Sequence, residues 1–353
     1  MKLLRLTIEN TSGFRSLRKG FCVQFHRNGK WGELTQFSPF CLVGLNGCGK
    51  SNVLEALAHI FYHVELCISV HLPDYLLDGN VFNPAKCPVD AFTLEYLVKT
   101  DLELVDKSLN SLFDIENDIF KELNLFLNSP KKRIRSLLTS LYLKTFSKEI
   151  NVELLCIAEL IHNASLLHDD VIDEARFRRD NETLACKFNS HVSILSGDFL
   201  LSLATEKLIK LENWQIISNF QHCIKKMSEA EILQYSLRGT VPEKKMYLQI
   251  IKGKTAELFV ATLKSSALLA GLDVQKASRF AESFGILFQL KNDLEKTSAA
   301  ADDKNKIHTL KDILGIEKTK ALMDNYLEEL RTDIGELPQN ACSKGLEELL
   351  RLI

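Results

Sequence analysis

Two rhythms of apolar and polar positions divide the chain. Through residues 1–100 the apolar positions come in short β-rich runs, LLRLTIEN, GFCVQFH and FSPFCLVG, separated by Gly, Ser and Asn, which predicts strands joined by turns. NVLEALAHIFYHV has helical spacing, HLPDYLLDGNVFNPAKCPVD reads as a loop, and AFTLEYLV reads as one more strand. From about Asp101 the texture changes: LVDKSLNSLFDIENDIFKELNLFLNS and nearly everything after it carries apolar residues at helical spacing. Between Lys131 and Leu237 there is no proline and a single glycine, Gly197, so long helices run with few breaks. The pattern predicts a small α/β lobe over 1–100 and an all-α domain over 101–353, a bundle of roughly ten helices, with the boundary near residues 98–104. No internal repeat or low-complexity run interrupts it.

Composition narrows the class without naming it. The 353 residues are 46% hydrophobic and 25% charged, enough apolar material for sizeable cores. A formal net charge of −2 gives no global pull toward nucleic acid or an acidic membrane, so no nucleic-acid partner is expected and any anion binding must be local. Nine cysteines stand without a CxxC pair, which reads as reduced thiols in a cytoplasmic protein. The opening MKLLRLTIEN turns polar too soon for a signal peptide, and no run of about 18 apolar residues predicts a membrane span.

GLNGCGKS, from Gly44 to Ser51, lies between a predicted strand and a predicted helix and satisfies the P-loop pattern. Gly44, Asn46, Gly47 and Gly49 would turn backbone N–H groups onto a phosphate, with Lys50 reaching the outer phosphates and Ser51 a magnesium ion. The bland alternative is a Gly-rich turn with an exposed lysine. Together with MKLLRLTIENTSGFRSL, this lobe resembles the N-terminal lobe of ABC-type ATPases of the DNA-repair and restriction-associated AAA kind. That resemblance implies ATP at the P-loop. The strand ending in Asp-Glu and the signature motif that such ATPases need for hydrolysis are missing, so little hydrolysis is expected.

LLHDDVIDEARFRRD, from Leu166 to Asp180, concentrates charge in an apolar setting. Asp169 and Asp173 are four apart and share a helix face with Asp170 beside them. Three carboxylates there repel one another unless cations sit between them, and magnesium, a hard ion bound by carboxylates and substrate phosphates, suits them. Arg178 and Arg179 then read as partners for those phosphates, since guanidinium forks match phosphate geometry. A solvated acidic face with surface ion pairs is the competing reading.

Six collinear segments from about residue 101 to 353 resemble the trans-type isoprenyl (polyprenyl) diphosphate synthases: PKKRIRS, ELIHNASLLHDDVIDEARFRRD, SGDFLL, SEAEILQ, GKTAEL and FGILFQLKNDLEK. The resemblance implies an isoprenoid-synthase helix bundle and a magnesium-dependent prenyltransferase that joins an allylic diphosphate to isopentenyl diphosphate. It implies Asp169, Asp170, Asp173 and Asp293 as the metal side, and Lys132, Arg135, His162 and Arg179 as holders of isopentenyl diphosphate. Arg178, Lys254 and Thr255 would fall on the allylic substrate. Thr255 and Gln289 would offer oxygen dipoles to the carbocation. Taken singly, His162 would be a core histidine, Lys254 a surface lysine and Gln289 a helix amide. Ala164 and Ser165, one turn before Asp169, are small where short-chain relatives place an aromatic floor. A product longer than about fifteen carbons is therefore expected from a tunnel between the helices. The family is usually dimeric, so a homodimer or a heterodimer with another synthase subunit is expected.

The match fails at the second aspartate-rich motif, which reads Asn292-Asp293-Leu294-Glu295-Lys296 instead of DDxxD. A neutral Asn292 and a cationic Lys296 weaken a metal site, which raises the alternative of a non-catalytic synthase subunit. A second alternative is a nucleotide-binding repair module whose helical half is a scaffold.

Overall fold

The computed structural model describes residues 5–7, 22–24, 91–110, 112, 115–129, 132–178, 181–295 and 307–352. The chain divides into two compact units, Met1–Pro88 and Val89–Ile353. In the first unit β1 (Arg5–Thr7) pairs antiparallel with β2 (Cys22–Gln24), Leu6 opposite Val23, inside two of the expected strands. Gly44, Asn46, Gly47, Gly49, Lys50 and Ser51 lie outside the described residues.

The second unit is helical. Its first helix, α1 (Ala91–Asn110), contains AFTLEYLV, which corrects the strand expected there and runs across the boundary expected near residues 98–104. Eight apolar-rich residues carry no decisive period of their own. The continuation decides, because Val98, Leu102, Val105 and Leu109 recur at helical spacing and turn inward.

Asparagines start several of the following helices. Asn117 caps α2 (Asp118–Asn128), Asn151 caps α4 (Val152–Ile172), Asn189 caps α6 (Ser190–Lys210) and Asn213 caps α7 (Trp214–Ser236). Each side-chain oxygen accepts a first-turn N–H, as Asn151 does from Leu154 at 3.0 Å, which satisfies a donor the helix leaves open. Between these lie α3 (Ile134–Thr145), a two-residue hairpin of β3 (Phe177–Arg178) and β4 (Asn181–Glu182), and the short α5 (Leu184–Lys187). After α7 come α8 (Lys244–Ile251), α9 (Glu257–Ala270), α10 (Val274–Glu295), α11 (Leu310–Leu314), α12 (Ile316–Gly335) and α13 (Ala341–Leu352).

Two large apolar cores share α9. Phe259, Leu263 and Ala267 pack with Leu138, Phe280, Phe284 and Leu346, whereas Leu258 and Ala261 pack with Leu155, Ile161, Leu200 and Phe220. A helix buried on both sides is apolar nearly all round, which is why α9 and α4 lack a polar stripe. Among the described residues no helix is long and apolar enough to cross a membrane.

Between α8 and α9 the chain makes one π-helical turn, Lys252–Ala256. Such wide turns concentrate at functional sites because they re-aim side chains within an otherwise regular helix. Two glycines allow it to sit between its neighbours. A Cβ on Gly253 would stand 2.8 Å from the Ala230 Cβ of α7, and one on Gly285 would stand 2.5 Å from the Ala256 Cα. The turn is thus clamped against α7 on one side and α10 on the other.

Candidate active site

The first aspartate-rich motif occupies the last turn of α4 and its cap, where the helix dipole is negative and no basic residue of the turn offsets it. The helix ends in a Schellman pattern: Ala175 N–H donates to the Asp170 carbonyl at 2.9 Å and Glu174 N–H to that of Val171 at 3.2 Å. Glu174 holds φ +49°, a left-handed conformation that usually falls to glycine. Directly beyond it the hairpin doubles back and returns Arg178 to the helix end.

Each carboxylate of the motif holds a protein cation. Arg178 Nε lies 2.8 Å from Asp170 Oδ1, Arg238 Nη2 lies 2.5 Å from Asp173 Oδ1, and Lys254 Nζ lies 3.8 Å from Asp169 Oδ2. Lys254 is also ion-paired with Glu231 and donates to Gln234 Oε1 at 2.9 Å. Burial pushes the Asp169 carboxyl up to about 6, with Glu231 and Asp173 adding to the rise and Lys254 and Arg178 opposing it. Burial also raises Asp170, against the lowering effect of Arg178.

The second motif sits on α10. Asp293 is 2% exposed and accepts from Gln289 Nε2 at 2.9 Å, while Gln289 Oε1 accepts from the Thr255 hydroxyl at 2.9 Å. Lys254 and Thr255 are neighbours on the π-helical turn. That turn therefore joins the two motifs: Lys254 reaches Asp169, and Thr255 reaches Asp293 through Gln289. With one hydrogen bond accepted from Thr255 and one donated to Asp293, the Gln289 amide bridges the two residues. The Thr255 hydroxyl keeps its lone pairs.

Among the described residues no three His, Cys, Asp or Glu side chains are gathered closely enough to hold a metal ion by themselves. The reason is visible in the pairing: Arg178, Arg238 and Lys254 already hold the three carboxylates of the first motif. The donor chemistry nonetheless fits magnesium. Hard oxygens crowd the negative end of a helix, and one of them, Asp169, is held back from ionising chiefly by its burial, a cost that a bound cation would offset.

The basic segment before α3 divides. Lys132 is exposed, whereas Arg135 turns inward with its guanidinium carbon 4.8 Å from the centre of the Phe259 ring. Its Nε is buried without a hydrogen-bond partner, and burial lowers its pKa although Glu159 works the other way. Arg133 between them is the structural residue. At φ +43° it pairs with Asp106 at 2.6 Å and Glu159 at 3.0 Å, and Ser136 donates to the same Glu159 at 3.1 Å. His162 is half-buried on α4, and Arg179 lies outside the described residues. Ala164 is fully buried in the core shared with Leu160 and Leu200, and the half-buried Ser165 donates to the His162 carbonyl at 2.8 Å.

Glu231, Gln234 and Arg238 took no role in the sequence reading, although SEAEILQ was matched as a segment. The available signal was their spacing: three and seven residues on from Glu231, the last just past the end of α7, return to one side, and that side meets the end of α4.

The polyprenyl synthetase family profile matches residues 117–331. All-trans-nonaprenyl-diphosphate synthase (geranyl-diphosphate specific) of Rhodobacter capsulatus is 35% identical over 157 residues, 44% of this chain and 48% of that protein. Decaprenyl-diphosphate synthase of Dictyostelium discoideum is 29% identical over 239 residues, 63% of this chain and 52% of that protein. The chain thus spans about half the length of the curated relatives it matches. The crystal structure of a decaprenyl diphosphate synthase from Rhodobacter capsulatus superposes with a TM-score of 0.67 at 22% identity, covering 73% of this chain and 97% of that one, and so shares the fold. The chain belongs to the polyprenyl synthetase family.

Proposed function

We propose that the chain is a prenyltransferase that lengthens an allylic diphosphate with isopentenyl diphosphate to give a polyprenyl diphosphate. The observation that carries this reading is the π-helical turn, where adjacent residues Lys254 and Thr255 tie the Asp169 end of α4 to Asp293 on α10. The barrier in such a reaction is the negative charge that develops on the departing diphosphate as the allylic C–O bond ionises. Fixed cations in a partly desolvated site lower it. Arg178 and Lys254 supply two of them. Asp169, Asp170, Asp173 and Asp293 would hold magnesium, which when bound supplies Lewis-acid stabilisation of the leaving diphosphate.

Lys132, Arg135, His162 and Arg179 would hold the isopentenyl diphosphate, whose double bond attacks the allylic carbocation. A proton leaves the adduct for the departing diphosphate, which balances the step. The unpartnered Nε of Arg135 and its seat against Phe259 support that role, since an oxyanion would complete its hydrogen bonding. Gln289 acts by positioning, holding Thr255 and Asp293 in line. Small side chains at Ala164 and Ser165 favour a product longer than a farnesyl chain. The nucleotide reading of Gly44 to Ser51 is separate, and prenyl transfer does not call on it.

Asn292 favours a second reading, a subunit that needs a partner for turnover, because an amide is a weaker magnesium ligand than a carboxylate. Incubation with isopentenyl and farnesyl diphosphates, with and without magnesium, followed by mass analysis separates the two. Magnesium-dependent elongation by the isolated chain supports the enzyme. No elongation alone, but elongation on addition of another synthase subunit, supports the partner reading. No product under either condition sinks both.

A further inference from the structure

The geometry points to Arg238 as an additional diphosphate-binding residue that guards Asp173 until metal and diphosphate arrive. The proposal rests on the prenyl-transfer reading and extends it to a residue outside the matched motifs. Arg238 follows the last turn of α7 and is 16% exposed along its side chain. Its guanidinium carbon lies 4.8 Å from the centre of the Tyr235 ring, a cation–π contact that helps to hold the fork in place. Nη2 reaches Asp173 Oδ1 at 2.5 Å, and Nε is buried without a hydrogen-bond partner.

Nη2 and Nε lie along one edge of the guanidinium, the edge that grips an oxyanion with two parallel hydrogen bonds. Asp173 uses only half of it. A purely structural arginine would not leave a desolvated N–H open, because an unmade buried hydrogen bond costs more than a made one returns. The other two cations of the cluster differ. Arg178 already places its Nε on Asp170, and Lys254 is surrounded by Glu231, Gln234 and Asp169. Arg238 therefore carries the vacant donor, and it carries it beside a carboxylate expected on the metal side of the site.

Two opposite consequences follow for one substitution. Arg238→Gln removes a cation that competes for Asp173, so the affinity for manganese alone, read by electron paramagnetic resonance of the free ion, stays equal or tightens. The same change removes a charged fork from the diphosphate, so the affinity for inorganic diphosphate with magnesium, read by calorimetry, falls by about tenfold or more, the range for a charge-assisted hydrogen bond. Tyr235→Leu, which frees the fork without removing it, gives a smaller fall. Should Arg238→Gln fail to fold by thermal melt, Arg238→Lys keeps the charge without the fork and is expected to show a partial loss.

Equal diphosphate affinity in the wild-type chain and the folded Arg238 variants overturns this proposal and leaves prenyl transfer standing. A fall in manganese affinity that matches the fall for diphosphate also overturns it, since that pattern marks a collapsed site. A wild-type chain that binds no diphosphate with magnesium overturns the prenyl-transfer reading and this proposal with it.

Discussion

Lys254 stands 3.8 Å from Asp169 across the gap between the π-helical turn and the end of α4, and is ion-paired more closely with Glu231 on α7. One ammonium thus balances two carboxylates from two helices. Such a group is held in place before any substrate arrives, which is what electrostatic preorganisation requires. Lys254→Ala is expected to lower kcat by about 10²–10³ with a smaller change in KM for isopentenyl diphosphate, since in the proposed reaction the ammonium would face the departing group. Steady-state kinetics on both substrates checks the split. Loss confined to KM would place Lys254 outside the ionisation step.

Asp169 gives the protein a pH signature. Its carboxyl is pushed from the ordinary 3.8 up to about 6 by burial first and by Glu231 and Asp173 next. A raised carboxyl binds its proton more tightly folded than unfolded, so the proton stabilises the fold. That contribution is fully present below about 3.8 and is lost as pH rises through about 6. Asp169→Asn removes the dependence. The variant should gain stability relative to the parent between pH 4.5 and 7.5 by on the order of 2 kcal/mol, in denaturant titrations without magnesium. Parallel pH curves for both proteins would show that Asp169 does not carry the shift.

Much of this architecture is legible in the chain before any coordinates. Long proline-free helical periods announce the bundle, and Asp169 with Asp173 at four-residue spacing announces a charged helix end. What escaped is tertiary in origin. AFTLEYLV is too short to reveal its period, and only burial of Val98 and Val105 on one face makes it a helix. Arg133 hides between two residues with expected roles because its importance lies in reaching Glu159 on another helix. Glu231 on α7 and Arg238 just past its end look like ordinary surface charges until α4 is laid beside them. The π-helical turn has no sequence period at all; only the tight spots at Gly253 and Gly285 betray it.

Those tight spots are testable. A methyl group at Gly285 would meet Ala256 Cα at 2.5 Å and Cβ at 2.7 Å, both on the π-helical turn. Neither atom is the end of a flexible side chain, so the turn must shift. Gly285→Ala should lower stability by about 1–3 kcal/mol, the usual range for overpacking. It should also reduce turnover, because Thr255 sits on the displaced segment and hydrogen-bonds to Gln289. Thermal melts and kinetics on the same preparation decide it. A stable variant with lower activity still fits a displaced turn, whereas parental values for both would show that the clamp has slack.

Asn292 offers the last test, and it bears on whether the chain turns over unaided. The residue precedes the buried Asp293 on α10, and its amide stands where a carboxylate would add a second hard donor. Asn292→Asp adds negative charge beside a carboxylate that Gln289 already holds, so without metal the variant should be less stable than the parent by about 1 kcal/mol. Magnesium should reverse the order if the added carboxylate completes a binding site, since a ligand that binds only the folded state stabilises it by mass action. Melting temperatures measured across a magnesium titration separate the cases. A crossing of the two curves, accompanied by faster elongation in the variant, would identify the neutral amide as the element that limits this chain. Curves that stay parallel would mean that the second motif binds no metal here and that Asp293 serves through Gln289 and Thr255 alone.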